Sequence, residues 1–195
     1  MPNWVSNGLT IKGTESELTE FSKILKYTRE GNTEADIISF HSTVPLPESE
    51  SENWYNWQIA NWGTKWDACE IEGEGLPFRK YEHSKEFLLG YGFNTAWSMP
   101  SEWLVTTSKA YPSLTFNNVW TEEQGFQGVL RAKAGEVVLC ESKDTPQLED
   151  FYIHAKKHNI EIPEGFDEGD AWDFDEYNEW YNEECYSYPK HWEEV

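Results

Sequence analysis

Hydrophobic residues along this chain either alternate with polar ones or recur every three to four positions, a pattern that predicts strands and helices in mixed order. Alternation predicts strands over residues 4–11, 37–41, 87–97 and 114–120, and a hairpin of 125–133 with 136–141. Helical spacing predicts helices over residues 15–28, 101–111 and 146–159. Thr14 and Glu17 have the spacing of a capping box, which places the start of the first helix.

The order of these elements is β-α-β, a long insertion, β-α-β and a hairpin. It is typical of the α+β, ferredoxin-like split βαβ sandwich, in which two helices cover one face of an antiparallel sheet. We therefore predict a ferredoxin-like domain over residues 1–145, with a Trp-rich insertion at about 48–85. A C-terminal region, residues 146–195, adds a helix and an acidic, aromatic tail that packs on the body or on a partner.

The tail combines negative charge with aromatic rings. Residues 161–195 hold 13 Asp and Glu against one Lys, and therefore carry 12 of the 21 net negative charges of the chain. Helical spacing places five residues of the tail on one stripe, with most carboxylates away from it: Phe174, Tyr177, Tyr181, Cys185 and Tyr188. Such a stripe requires a covering surface, either the body of the protein or a partner.

Composition limits the functions that the chain can perform. With 36 acidic and 15 basic residues, the net charge of -21 argues against direct binding to nucleic acid or to an anionic membrane. Neither a signal peptide nor an apolar run long enough to span a bilayer is visible, so we expect a cytoplasmic protein of the host cell. The three cysteines form no C-x-x-C pair, which favours reduced thiols.

Four blocks of sequence resemble the YubB-like family, small ferredoxin-like proteins of phages and conjugative plasmids. They are Met-Pro-Asn-Trp with the Asn-x-Leu-x-Ile-x-Gly that follows (1–13), Asn-Trp-Gly-Thr-Lys-Trp-Asp-Ala (61–68), Phe-Asn-Thr-Ala-Trp-Ser-x-Pro (93–100) and Gly-Phe-x-Gly (125–128). The family's usual Cys after the first Trp is Val5 here. The resemblance covers about residues 1–145 and implies the fold and a mobile-element origin, but no established activity.

The second block allows two interpretations. Lys65 and Asp67, flanked by Trp62 and Trp66, would form either a ligand pocket or a small structural core in which Lys65 and Asp67 are tethers. The structural interpretation is favoured, because buried indole N–H groups need partners such as Asn and Asp side chains. No nucleophile stands beside a base, so we predict no catalytic residues.

Two further motifs are weak. His154 and His158 have the i, i+4 spacing of metal ligands, with Cys140, Cys185 or a tail carboxylate as a third ligand, but both lie at or off the edge of the apolar stripe. The glycine pairs are too short for a phosphate-binding loop. We therefore predict no metal and no cofactor.

The charge distribution leads to our functional hypothesis. Carboxylate rows from the tail, from residues 48–52 and from residues 70–74 would imitate the phosphates of DNA and occupy the basic groove of a host nucleic-acid-binding complex, of the restriction or CRISPR type. The expected contact residues are Asp173, Asp175, Glu176, Glu179, Glu183, Glu184, Trp172, Trp180 and Trp192. Two alternatives remain: an interaction module or homodimer scaffold without inhibitory role, and an enzyme that uses Lys65 and Asp67.

Overall fold

The computed structural model describes residues 3–79, 85–167 and 171–185. Its strands are β1 (Trp4–Gly13), β2 (Cys69–Glu72), β3 (Phe78–Arg79), β4 (Phe87–Ala96), β5 (Thr115–Glu122), β6 (Phe126–Lys133) and β7 (Glu136–Asp144). Its helices are α1 (Glu15–Ile24), α2 (Trp54–Trp62), α3 (Ser101–Ala110), α4 (Leu148–His158) and α5 (Asp175–Glu184). Short 3-10 turns lie at Phe40–Ser42, Glu48–Asn53 and Ala171–Asp173.

The strands form one antiparallel sheet in the order β2-β4-β1-β5-β6-β7, and β3 also pairs with β4. The first four positions of this order, with α1 and α3 as the crossovers, are the ferredoxin-like split βαβ arrangement. The predicted fold class is therefore confirmed, and the β6–β7 hairpin extends the sheet.

One face of the sheet carries the main core, which α1 and α3 cover. Leu18 and Phe21 of α1 and Trp103 and Leu104 of α3 pack on every second residue of the strands. The capping box is present, since the Glu17 amide donates to Thr14 Oγ1 and the Thr14 amide donates to Glu17 Oε2. The helix ends at Ile24, earlier than predicted, and Tyr27 instead bridges to Asp36.

The predicted strand at residues 37–41 is wrong. Ile38 and Phe40 are fully buried in the main core, but Phe40 begins a 3-10 turn, and the strand that completes the split βαβ unit is β2, within the insertion. The carboxylate of Asp67 accepts a hydrogen bond from the Phe40 amide (2.6 Å), so this amide has a partner without joining a strand. An apolar run therefore becomes core without joining the sheet.

The predicted hairpin is confirmed, with β7 extending to Asp144. Ala134 and Gly135 have φ angles of 52° and 84°, the left-handed pair of a two-residue type I′ turn. The strand ends then define one end of the sheet, where Trp4 pairs with Ala96, Val5 with Glu122, and Phe126 with both Glu122 and Asp144. We call this the Trp4 end of the sheet.

A second, smaller core lies in the C-terminal region. Its buried members, which we call the C-terminal cluster, are Phe151, Ala155, Phe166, Ala171, Tyr177 and Trp180. These residues come from α4, α5 and the segment between them, so part of the tail packs within its own chain. None of the described helices is long and apolar enough to cross a membrane.

Candidate functional site

Trp62 and Asp67 are structural. Trp62 is 2% exposed and donates its indole N–H to Val44 O over 2.9 Å. Besides the Phe40 amide, the Asp67 carboxylate accepts the Ser39 hydroxyl (2.5 Å) and the Ala68 amide (2.8 Å). Asp67 thus ties the 39–40 turn to the loop before β2, as the mini-core interpretation predicts for this residue.

Lys65 lies among aromatic rings. Its Nζ is 4.6 Å from the ring centroid of Trp97, 5.0 Å from that of Trp66 and 5.9 Å from that of Tyr55. Within the described part of the chain, the lysine makes neither a hydrogen bond nor an ion pair through Nζ, in a protein with more than twice as many acidic as basic residues. Ring faces therefore provide its electrostatic partners.

These rings belong to an exposed patch that the sequence pattern does not predict. Trp97 is 47% exposed, Trp54 39% and Tyr55 37%, and the Tyr55 and Trp97 rings meet edge to face with centroids 6.2 Å apart. We call the patch the Lys65 surface; it consists of Trp54, Tyr55, Lys65, Trp66 and Trp97. The second sequence block, residues 61–68, thus has a buried part that contains Trp62 and Asp67 and an accessible part that contains Lys65.

The backbone of Trp97 is strained. Its φ of 72° lies in the left-handed region, which bulky residues rarely adopt and which typically costs about 1–3 kcal/mol. The strain is maintained by neighbouring bonds: the Trp97 amide donates to Asn3 O (2.9 Å), and Thr95 Oγ1 donates to Ser98 O (2.8 Å). The strained conformation leaves a large indole half exposed at the Trp4 end of the sheet.

Three of the four sequence blocks meet at this position. Trp4 from the first block lies against Trp66 from the second, with ring centroids 5.7 Å apart. Thr64 of the second block is buried and donates to Ala96 O of the third (2.9 Å). Asn7 of the first block donates to Thr95 Oγ1 (2.9 Å). Segments far apart in sequence are therefore joined by hydrogen bonds beneath the Lys65 surface.

The tail places its predicted contact residues in two different environments. All six carboxylates are exposed: Asp173, Asp175, Glu176, Glu179, Glu183 and Glu184. The indole of Trp180, in contrast, is 6% exposed and packs against Phe151 (centroids 5.4 Å apart) and His154 (5.9 Å). Trp180 is therefore a core residue, and its predicted role as an anchor for a partner does not fit this position. The Trp172 side chain and Trp192 lie outside the described residues.

Contacts of α5 with the hairpin place the tail at the Trp4 end of the sheet. Glu184 lies 3.7 Å from Lys143 of β7, and Tyr177 and Tyr181 border a groove of about 480 Å³ whose opposite wall includes Thr121 and Gly125. Burial raises the pKa of the Tyr181 hydroxyl and of the Cys185 thiol. Because Tyr177 is buried and both tyrosines border the groove, they mark the inner side of α5, and the carboxylates of the helix are exposed.

The acidic segment at residues 70–74 begins in β2, at the opposite edge of the sheet. Glu70 is exposed, and its carboxylate accepts from Asn94 of β4 (2.5 Å), two residues before the strand end. Because β2 and β7 are the two edges of the named order, they are separated by five strand spacings, about 24 Å. The carboxylates of β2 and those of α5 therefore flank the Trp4 end from two sides and do not form one continuous row.

The predicted weak metal motif gains no further ligand. His154 and His158 stack with centroids 4.3 Å apart. Across the described ranges, no group of three or more His, Cys, Asp or Glu side chains has the arrangement of a metal site.

Comparisons with known proteins support the fold. A family model described as the ferredoxin-like domain in Api92-like protein matches residues 78–151. The chain also resembles the crystal structure of protein api92 from Yersinia pseudotuberculosis, with a TM-score of 0.55 over 75% of this chain and 99% of that one. At 8% sequence identity this likeness shows the fold alone. No curated protein matches the chain. The comparisons do not confirm the resemblance to the YubB-like family, so a mobile-element origin stays a prediction.

Proposed function

We propose that this protein is a non-enzymatic, cytoplasmic inhibitor from a phage or plasmid. It occupies the basic groove of a host nucleic-acid-handling defence complex, of the restriction or CRISPR type, by imitating DNA. The observation that carries the proposal is the outer face of α5, where buried aromatic residues fix the helix and every neighbouring carboxylate is exposed.

The charge density of α5 supports the proposal. The helix has five acidic residues and no basic one among its ten residues. At 1.5 Å of rise per residue, this is about one negative charge per 3 Å of helix axis. A single DNA strand presents one per ~3.4 Å of duplex axis. A groove that neutralises phosphates at this spacing therefore encounters a similar linear density of carboxylates on α5.

The helix dipole acts against two of these carboxylates. Glu183 and Glu184 lie in the last turn of α5, where the helix dipole disfavours negative charge by about 0.3–1 kcal/mol per residue. Lys143 offsets part of this cost at Glu184. Acidic residues at this end of a helix are consistent with a role at a partner's surface.

The experiment compares two variants of equal net charge in the tagged, full-length protein. Glu176, Glu179 and Glu183 are changed to Gln together; the control changes three exposed residues outside the C-terminal region, Glu15, Glu20 and Glu136, to Gln. We measure recovery of a host nuclease complex at about 50 mM and about 500 mM salt, its competition by duplex DNA, and inhibition of the complex. The α5 variant should lose recovery and inhibition, and the control should keep both. Equal behaviour of the two variants contradicts the proposal.

A second candidate function is an accessory module or homodimer scaffold without inhibitory role. The specific observation that favours it is the burial of Tyr177 and Trp180 against Phe151, because aromatic residues that pack within the chain need no partner. In that case the carboxylates serve solubility. Salt-independent self-association, with no host complex recovered at either salt concentration, would support this function.

A further inference from the structure

We infer that the Lys65 surface is a second contact region for the same basic partner, and that it binds arginine side chains of that partner. This inference rests on the proposed function, and it supplies aromatic anchors at a place other than Trp180, which is buried.

The rings of the Lys65 surface already interact with a cation. The Nζ atom of Lys65 lies within about 6 Å of three ring centroids, the range over which a cation is attracted to a ring face. Substantial parts of Trp54, Tyr55 and Trp97 remain exposed beside this contact. A planar guanidinium stacks on such rings better than an ammonium does, which points to arginine among the basic residues.

Carboxylates beside the rings also favour binding of an arginine guanidinium. The turn Glu48–Asn53 leads directly into α2, so Glu52 and Tyr55 are neighbours at i, i+3 spacing, and Glu50 and Trp54 at i, i+4. A guanidinium on these rings is therefore within reach of a carboxylate. The like charge of Lys65 opposes it only weakly, because two unit charges in water interact by about 1 kcal/mol at 4 Å and by less at longer distances.

Position makes the Lys65 surface a suitable centre for a charged interface. Trp97 follows the last residue of β4 at the Trp4 end of the sheet, between the acidic segment at β2 and α5 beside β7. Interfaces commonly have aromatic anchors at the centre and charged residues at the rim. The strained φ of Trp97 maintains such an anchor half exposed at this point.

The test uses nonaarginine and nonalysine peptides as probes of the full-length protein. The variant Trp54→Ser with Trp97→Gly removes two rings, and glycine also relieves the backbone strain, so folding should not suffer. At about 150 mM salt we expect a loss of affinity of about tenfold for nonaarginine and less than about twofold for nonalysine. Val138→Ser, which changes an exposed apolar residue (56%) of β7, should change neither affinity.

Lys65→Met separates this inference from its main alternative, an anionic ligand held by the lysine. Removing the like charge should leave nonaarginine binding unchanged or tighter. Loss of that binding, equal losses for the two peptides in the ring variant, or binding of oligothymidylate that requires Lys65 would overturn the inference.

The two proposals fail separately. The triple Gln variant of α5 should weaken both peptides alike. If it keeps the host complex while the ring variant loses arginine selectivity, the α5 proposal fails and the Lys65 surface stands. If the triple Gln variant loses the host complex while the ring variant keeps its preference for arginine, the inference about the Lys65 surface fails and the α5 proposal stands.

Discussion

The main core and the C-terminal cluster bury apolar side chains in different ways. The main core joins both crossover helices to the strands, and it contains aliphatic and aromatic residues that are almost completely buried. The C-terminal cluster is mostly aromatic and lies on two helices and the segment between them, and none of its described members comes from a strand.

This contrast teaches how one chain can have a rigid body and a charged extension. Strands with long-range pairing connect the main core to the whole sheet, whereas the C-terminal cluster is held by ring contacts between neighbouring segments. Because its aromatic residues face inward, the carboxylates of α5 are fixed on the outside. We therefore expect the two regions to lose stability separately, and the body to remain folded when the extension does not.

The largest expected effect is that of Phe151→Ala. Phe151 is fully buried at the centre of the C-terminal cluster, 5.2 Å from the ring of Tyr177 and 5.4 Å from that of Trp180. Truncation of such a side chain costs about 3–5 kcal/mol, which should unfold this cluster alone. Amide hydrogen exchange should show lost protection in α4 and α5 and preserved protection in the sheet.

The matched control for this variant is Ile153→Ala, on the same helix but 68% exposed, which should change stability by less than about 0.5 kcal/mol. If the Phe151→Ala variant also loses amide protection in the sheet, the two cores are one cooperative unit.

A smaller effect, confined to the body, is expected for Asp67→Asn. The carboxylate accepts three hydrogen bonds, and an amide cannot accept from all three donors in the same geometry. Loss of the charge-assisted hydrogen bonds, with reversal of the one from Ser39, costs about 1–3 kcal/mol, and each kcal/mol lowers the Tm of a chain of this size by about 2–4 °C. Thermal unfolding of the variant measures this loss.

Asp173→Asn is the control, because its carboxylate is exposed and its substitution should leave the Tm of the body unchanged. An unchanged Tm for Asp67→Asn, together with a lost biological activity, would favour the alternative in which Lys65 and Asp67 act on a ligand.

The fold was largely predictable because its signals are local. The Thr14–Glu17 capping box and the Ala134-Gly135 turn each occupy a few adjacent residues, and each directly determines a backbone conformation. The strand prediction for residues 37–41 was wrong because Asp67, which accepts the Phe40 amide hydrogen bond, lies far away in sequence. β2 was missed because a strand of four residues with two glutamates gives little hydrophobic signal.

The candidate site was less predictable, because it depends on what covers each face. An aromatic stripe indicates that α5 buries one side, but it does not distinguish a partner from Phe151 of the same chain. The pairing of Trp97 with Lys65 requires a left-handed residue at the end of β4, which the sequence around a tryptophan does not indicate. Long-range packing therefore decides which aromatic residues remain available to a partner.

The smallest expected effect concerns the caps with which helices of both regions begin. Hydrogen bonds from the Thr14 side chain, its backbone amide and Ser113 lower the pKa of Glu17. At α4 the amide of Gln147 donates to Asp150 Oδ2 over 2.9 Å in a similar cap. A carboxyl with a lowered pKa in the folded protein stabilises it at pH values above the ordinary pKa of about 4.5, and this contribution is lost as the pH falls through the lowered value.

Glu17→Gln should therefore remove one acid-dependent component of body stability, at a cost of less than about 1 kcal/mol at neutral pH because the site is solvent-screened. Unfolding curves measured between about pH 2 and pH 7 test this, with Thr14→Ala as a second variant that should remove the same component. If acid instead unfolds wild type and both variants along parallel curves, the α1 cap does not contribute to the pH dependence, and the difference between body and extension arises from their cores alone.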